Sequence, residues 1–377
     1  MTASSAELTT LADPLATGTH TVHIDGIPLR YHVHGTGPVC VAHSGGPGIS
    51  WEYLRMPSLE RQLTVVYPEP IGTGGSGRLP THPHGYSRDR YSRFLGALIT
   101  HLGVDQVHLL GHSHGGFVVQ HHALRHPEGI AGVILYESSP VTGPEHAAEA
   151  ARRVAAYVER HANHPELPGI IAAFQALSEI SDDAGMTKAA RMLLPAYFAD
   201  YWGRQEEFAS SRASVTATHI SGLDENLAPD PVDDRTALAS LAVPALVVVG
   251  RHDFICGTRW AKDLHALIPG SDLLVLENSG HFGHLEEPQV FAQTVAGFVR
   301  PPHHRPHPAS VDLPAGVSAG KPSRAAAIPP LTDQRTSADQ TSGRTPTRPA
   351  RRKPPRVPTC RLTRTDDQSA LVVSTLT

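Results

Sequence analysis

Hydrophobic positions along this chain follow two alternating rhythms. Near the start, THTVHI (19–24) and LRYHVHG (29–35) alternate apolar with polar residues on either side of Asp25-Gly26. That is the pattern of two half-buried strands joined by a tight turn. Further on the apolar runs become continuous: VCVAH (39–43), LTVVYP (63–68), QVHLLG (106–111), GVILYE (132–137), PALVVVG (244–250) and DLLVLEN (272–278). Runs that are apolar on both faces suit inner strands of a parallel sheet covered on each side. Between them, helical periodicity predicts helices over 88–102, 116–126, 258–267 and 288–299. The expected fold class is α/β, a mostly parallel eight-stranded sheet with helices on both faces.

The strand rhythm stops between 141 and 241. EHAAEAARRVAAYVERHA, GIIAAFQALSEI, MTKAARMLLPAYFADYW and EEFASSRASVTATHI are all helix-like and carry no strand signal. A helical cap inserted between two strands is the simplest account. It would sit over the C-terminal edge of the sheet, where open α/β folds bind ligands, and could close over the site as a lid. The expected organisation is a flexible N-terminus (1–18), a core in two parts (19–140 and 242–300), the cap (141–241) and a tail (301–377).

Composition changes the picture mainly at that tail. The whole chain of 377 residues has 32 Lys and Arg against 36 Asp and Glu, a net charge of −4. The last 77 residues hold 13 prolines and 12 Lys and Arg against five Asp and no Glu, which leaves 20 basic and 31 acidic residues before them. Such a basic Pro/Arg-rich stretch has too little apolar surface to offset its ordering entropy and reads as disordered. The acidic body speaks against nucleic acid as a partner, although the tail keeps a polyanion-binding role open. Three distant cysteines, Cys40, Cys256 and Cys360, form no CxxC pair, so neither a disulfide framework nor a zinc site is expected. The N-terminus lacks the basic and apolar regions of a signal peptide, and no run reaches the roughly 18 to 20 apolar residues of a membrane span. A cytoplasmic protein without membrane association is the expectation. Nothing in the sequence fixes an oligomeric state.

The sharpest chemical signal is LLGHSHGGFV (109–118). A strand runs into Gly111-His112-Ser113-His114-Gly115 and a helix leaves it, the G-x-S-x-G elbow that places a serine on a strained turn. Ser113 needs a base to take its proton and an acid to orient that base. Asp253, in VVVGRHDFICG, follows the seventh predicted strand, and His281, in ENSGHFGHLEEP, follows the eighth. Both therefore stand at the strand edge that carries Ser113. His284 is a weaker candidate base, Asp263 falls within a helix, and His112 and His114 are too close to Ser113 to aim at its Oγ. An oxyanion hole would use the His114 N–H and amides of AHSGGPG (42–48), with Gly45 and Gly46 as donors. The remaining histidines, 25 in all, are not at metal-ligand spacing, and this chemistry needs no metal or other cofactor.

Together these residues resemble the α/β-hydrolase fold over about 19–300, and within it the proline iminopeptidase group. The motifs that carry the resemblance are GGPG (45–48), VVYPEPIGTGGSGR (65–78), GHSHGG (111–116), GRHD (250–253) and SGHFGHLEEP (279–288). The resemblance implies a serine hydrolase acting on N-terminal prolyl peptides or amides. The chain departs from that group in several places. Ser44 stands where the family has a histidine, with His43 before it. Glu69-Pro70-Ile71 precedes Gly72, where an Asp-x-Arg pattern is usual. ARMLLPAYF has leucines where the amine-recognising glutamate would be, and Phe254 follows Asp253 where some members have Glu. A buried ammonium needs a carboxylate partner, so Glu137, Glu206, Glu207, Asp224 and Glu225 are the substitutes to examine, with Phe254 as a further substrate contact. Small esters or lactones are the alternative substrates. A non-catalytic ligand sensor on the same fold is the alternative class.

Overall fold

The computed structural model describes residues 13–300. The tail expected over 301–377 and the first twelve residues lie outside the described residues. The eight strands are β1 (Gly18–Ile24), β2 (Ile27–His34), β3 (Val39–His43), β4 (Thr64–Pro68), β5 (Val107–His112), β6 (Ile130–Tyr136), β7 (Ala245–Gly250) and β8 (Asp272–Leu276). They form one sheet in the order β1-β2-β4-β3-β5-β6-β7-β8. β1 with β2 and β2 with β4 are antiparallel. Every later pairing is parallel. The first hairpin turns on Asp25 and Gly26, both at positive φ (53° and 78°), the conformation a two-residue turn between twisted strands requires.

The continuous apolar runs are explained by helices on both faces. Along β7, Ala245, Val247 and Val249 point into one apolar cluster, with Leu98 of α2 (Arg88–Leu102) and Leu264 of α8 (Thr258–Leu267). Leu246 and Val248 point into the other, with Leu59 of α1 (Pro57–Glu60) and Phe291 and Val295 of α10 (Pro288–Val299). A strand with period-two side chains and a core on each side needs apolar residues at every position. Helix α3 (His114–Arg125) begins two residues before the expected 116, because the elbow turns directly into the helix.

Between β6 and β7 lie α4 (Pro144–Arg160), α5 (Leu167–Ala176), α6 (Asp183–Leu193) and α7 (Gln205–Ser214). They pack through their own apolar clusters, around Tyr157, Ile170 and Leu193 and around Phe198, Tyr201 and Phe208. α6 gives way to a single turn at Leu194–Tyr197, since Pro195 has no N–H to continue the ladder. The helical pattern expected through EEFASSRASVTATHI ends earlier, at Ser214. There the backbone turns instead to the glycine-rich loop after β3: Ser50 N–H donates to Thr216 O at 3.0 Å, and Thr218 N–H to Gly48 O at 2.8 Å.

Candidate active site

Four neighbouring parallel strands, β5 to β8, end on the same edge, and each is followed by a chemically active side chain: Ser113, Glu137, Asp253 and His281. Ser113 sits at φ 55°, ψ −121°, a region that costs an L-residue about 1–3 kcal/mol. The surroundings hold it there. Its N–H donates to Tyr136 O at 2.9 Å, and its own carbonyl accepts from Gly116 N–H at 2.8 Å. The flanking glycines are steric necessities: a Cβ on Gly111 would lie 2.2 Å from Gly115 O, and one on Gly115 would lie 2.3 Å from His43 O. Ser113 is at the N-terminus of α3, whose first amides have no partner within the helix. The His114 N–H is one of these.

His281 Nδ1 lies 3.1 Å from Asp253 Oδ2, both side chains fully enclosed. The Nδ1–H is not aligned for a hydrogen bond; contacts of this kind in catalytic sites tighten in the substrate complex. Asp253 also accepts amide hydrogens from Ile255 (2.8 Å) and Cys256 (3.0 Å). Burial alone would raise its pKa. The His281 ring, the adjacent Glu137 carboxyl and the Ile255 amide outweigh that and hold the carboxyl below its ordinary range. The His281 backbone is clamped by the inserted helices, its N–H donating to Tyr197 O at 2.6 Å.

Two further residues, Tyr53 acting with His112 and then Glu286, secure the site in roles that linear spacing does not signal. Buried His112 donates from Nε2 to the His281 carbonyl (2.9 Å), which accepts only, so its Nδ1 is the acceptor for the Tyr53 hydroxyl at 2.7 Å. Burial, with nearby His281 and His284, keeps the His112 ring neutral. The Tyr53 oxygen in turn accepts the Gly45 N–H at 2.6 Å. One of the three expected oxyanion donors, Gly45, is therefore already engaged. Gly46 remains beside it at φ 130°, where any Cβ would meet the Gly48 and Ile49 amides within 2.8 Å. The second residue is Glu286, whose carboxylate takes the Ala199 amide of the insertion (2.8 Å) and the Gly280 amide of the histidine loop (2.6 Å). Burial raises its pKa to about 7 despite those amides. His284 is unsuited to act as a base: its Nε2 donates to Tyr53 O and its Nδ1 meets the Tyr136 hydroxyl.

Ser113 and His281 open into one cavity with Gly45, Gly46 and Tyr53. The insertion roofs it with Leu177, Met186, Leu193, Leu194, Phe198 and Val215. Among the described residues, no Asp, Glu, Lys or Arg lines it. None of the candidate substrate-binding residues reaches it. Glu137 is buried behind the sheet edge against Asp253. Glu206 and Glu207 stay in water, Glu207 pairing with Arg204 at 2.7 Å. Phe254 packs against Phe174 and Tyr197. Asp224 caps its own loop through the Asn226 and Ala228 amides, and Glu225 pairs with Arg90. Solvation explains the exposed carboxylates, since burial without a partner costs several kcal/mol.

Glu137, Asp253 and His281 bring one donor atom each to within 4.8 Å of the others, the one such group among the described residues. Backbone amides from Gly250, Ile255 and Cys256 point into it. They supply positive partial charge where a cation would sit, so the cluster has the character of a proton-sharing network.

A family model of the alpha/beta hydrolase fold matches residues 38–288. The chain belongs to that family. Among relatives of this alpha/beta hydrolase is 2-hydroxymuconate semialdehyde hydrolase of Pseudomonas sp. strain CF600, 27% identical over 278 residues, which covers 73% of this chain and 91% of the relative. The proline iminopeptidase of Saccharolobus solfataricus is 26% identical, over 71% of this chain and 87% of its own. The crystal structure of a hydrolase from Pseudomonas aeruginosa superposes with a TM-score of 0.58 at 26% identity, over 75% of this hydrolase and 99% of that chain. No helix among the described residues is long and apolar enough to cross a membrane.

Proposed function

We propose that this chain is a serine hydrolase that cleaves uncharged, largely apolar carboxylic esters or lactones. Ser113 Oγ attacks the carbonyl carbon and His281 Nε2 takes its proton. The resulting imidazolium is stabilised by Asp253. The His114 and Gly46 amides receive the developing oxyanion, and His281 returns the proton to the leaving alcohol. Water, activated by the same imidazole, then releases the acid from the acyl-serine.

One observation carries the substrate class: the cavity shared by Ser113 and His281 is roofed mainly by aliphatic and aromatic side chains, and among the described residues no Asp, Glu, Lys or Arg lines it. An acyl chain entering it gains about 25 cal/mol per Å² of apolar surface removed from water. An iminopeptidase-like reading draws on GGPG at 45–48 and on the Saccharolobus relative. It requires a carboxylate for the substrate ammonium, and the lining offers none. A carboxylated substrate such as a muconate equally lacks an Arg or Lys there.

The test is to measure initial rates on p-nitrophenyl butyrate and proline p-nitroanilide, with Ser113→Ala as control. A fluorophosphonate label located by mass spectrometry supplies the second readout. Ser113-dependent ester turnover with little anilide turnover is the expected outcome. Anilide turnover exceeding ester turnover would sink the substrate class, and absence of both turnover and label at Ser113 would sink the mechanism.

A further inference from the structure

Glu137 follows β6 just as Ser113, Asp253 and His281 follow their own strands, yet it does not line the cavity that Ser113 and His281 share. It is completely buried and is held at φ 49°, a conformation uncommon outside glycine and asparagine. Its Oε1 accepts the Gly250 amide at 2.7 Å. Its Oε2 is sealed from solvent without a hydrogen-bond partner. What lies beside it is the Asp253 carboxyl, within the 4.8 Å cluster that also contains His281.

Two carboxylates side by side in a dry site cannot both ionise. A hydrogen shared between them satisfies the otherwise orphaned oxygen. Asp253 is the better-stabilised anion, with two amides and the His281 ring, whereas Glu137 has one amide. The proton therefore belongs on Glu137. We propose that Glu137 is a positioning residue for the hydrolytic site: a neutral carboxylic acid that donates its proton in a hydrogen bond to Asp253. It fixes the orientation of Asp253 and moderates the negative charge that His281 experiences. This rests on the serine-hydrolase reading only for its kinetic consequence.

Burial, reinforced by Asp253, drives the Glu137 pKa well above the ordinary carboxyl value. The other groups facing the pair do not supply a compensating cation. Glu286 adds negative charge only as it ionises, near pH 7, and Tyr136, Tyr197, Cys256 and His146 stay neutral. Arg153 donates to the Asp253 main-chain carbonyl at 3.2 Å. Through one turnover the assembly balances simply. His281 gains and then loses the serine proton, while the Glu137 proton stays between the two carboxyls.

Glu137→Gln and Glu137→Leu separate this role from its rivals, each variant first checked for folding by circular dichroism. Gln is neutral and still offers an N–H donor to Asp253, so the acid limb of kcat/KM against pH stays where it is in the parent. Leu removes the donor and leaves Asp253 a more exposed charge to His281, which moves that limb upward by about half to one pH unit. A downward displacement in the Gln variant would mean that an ionised Glu137 had been removed, and overturns the proposal. Identical limbs for Leu and the parent mean that Glu137 only fills space, and overturn it too. The same comparison is made without turnover by following the His281 ring in an NMR pH titration, assigned by its loss in His281→Asn. An ester that is not cleaved thus counts against the serine-hydrolase reading, and the titration still judges Glu137.

Discussion

The floor and the roof of the cavity are built on opposite principles. On the floor, Ser113 and Glu137 are held by backbone hydrogen bonds to neighbouring strand ends, Asp253 by the amides of its own loop, and His281 by the Tyr197 carbonyl. The roof consists mainly of apolar side chains such as Met186, Leu193 and Phe198, with Tyr197 and Ser211 as its hydroxyl-bearing members. Directional bonds set atom positions to a few tenths of an ångström, whereas apolar contacts set shape and volume. On the proposed function, reaction chemistry belongs to the sheet edge and substrate choice to the insertion. Glu286 joins the two by binding one amide from each.

Substitutions on either side test that division. Ser113→Ala removes the proposed nucleophile of the floor and is expected to lower ester turnover about 10⁶-fold, read as initial rates with the melting curve checked alongside. Leu193→Ala opens the roof at a residue 1% exposed, and is expected to cost about 2–5 kcal/mol in urea unfolding. In that variant KM for butyrate should rise more than kcat falls. An equal fall in kcat would mean that the roof also positions the chemistry.

The link between floor and roof carries a pH signature. The Glu286 pKa stands at about 7 in the folded chain, raised by burial from 4.5. A raised value means the folded state holds the proton more tightly than the unfolded one. The contribution of this group is complete below pH 4.5 and is lost as pH rises through 7. The loss is on the order of 3 kcal/mol. Glu286→Gln should lack that slope when urea midpoints are compared across the interval. Parallel pH profiles for the two proteins would show that Glu286 is not the linking group.

Smaller effects refine the comparison. Tyr53→Phe removes the acceptor of the Gly45 amide and the donor to His112, a loss of about 1–3 kcal/mol. It should reduce kcat roughly tenfold with KM little changed. Glu207→Gln alters an exposed ion pair outside the cavity and should change stability by no more than about 0.5 kcal/mol, with KM unchanged for both neutral and amine-bearing substrates. A raised KM for the amine alone would bring the insertion's carboxylates back into substrate recognition.

Local pattern was enough for the elbow. The Gly111–Gly115 turn between a strand and a helix is encoded within about ten residues, because backbone strain and glycine requirement are local properties. The eight strands and four flanking helices were legible for a related reason: a core on both faces imposes apolar runs, and amphipathic period imposes helices. Asp253 and His281 could be named because each directly follows a legible strand. The substrate contacts could not. Whether Glu137, Glu206, Glu207 or Phe254 reaches the cavity depends on how α4 to α7 fold over the sheet, and that packing has no counterpart in linear spacing.

The amino-acid sequence by itself thus determined the sheet, the elbow and which strand ends carry reactive side chains. Only the tertiary structure decided that β6, β7 and β8 lie side by side, which puts Glu137 against Asp253. It alone revealed Tyr53 on the Gly45 amide and the uncharged cavity lining. These are distances between residues far apart along the chain, set by strand order and helix packing together.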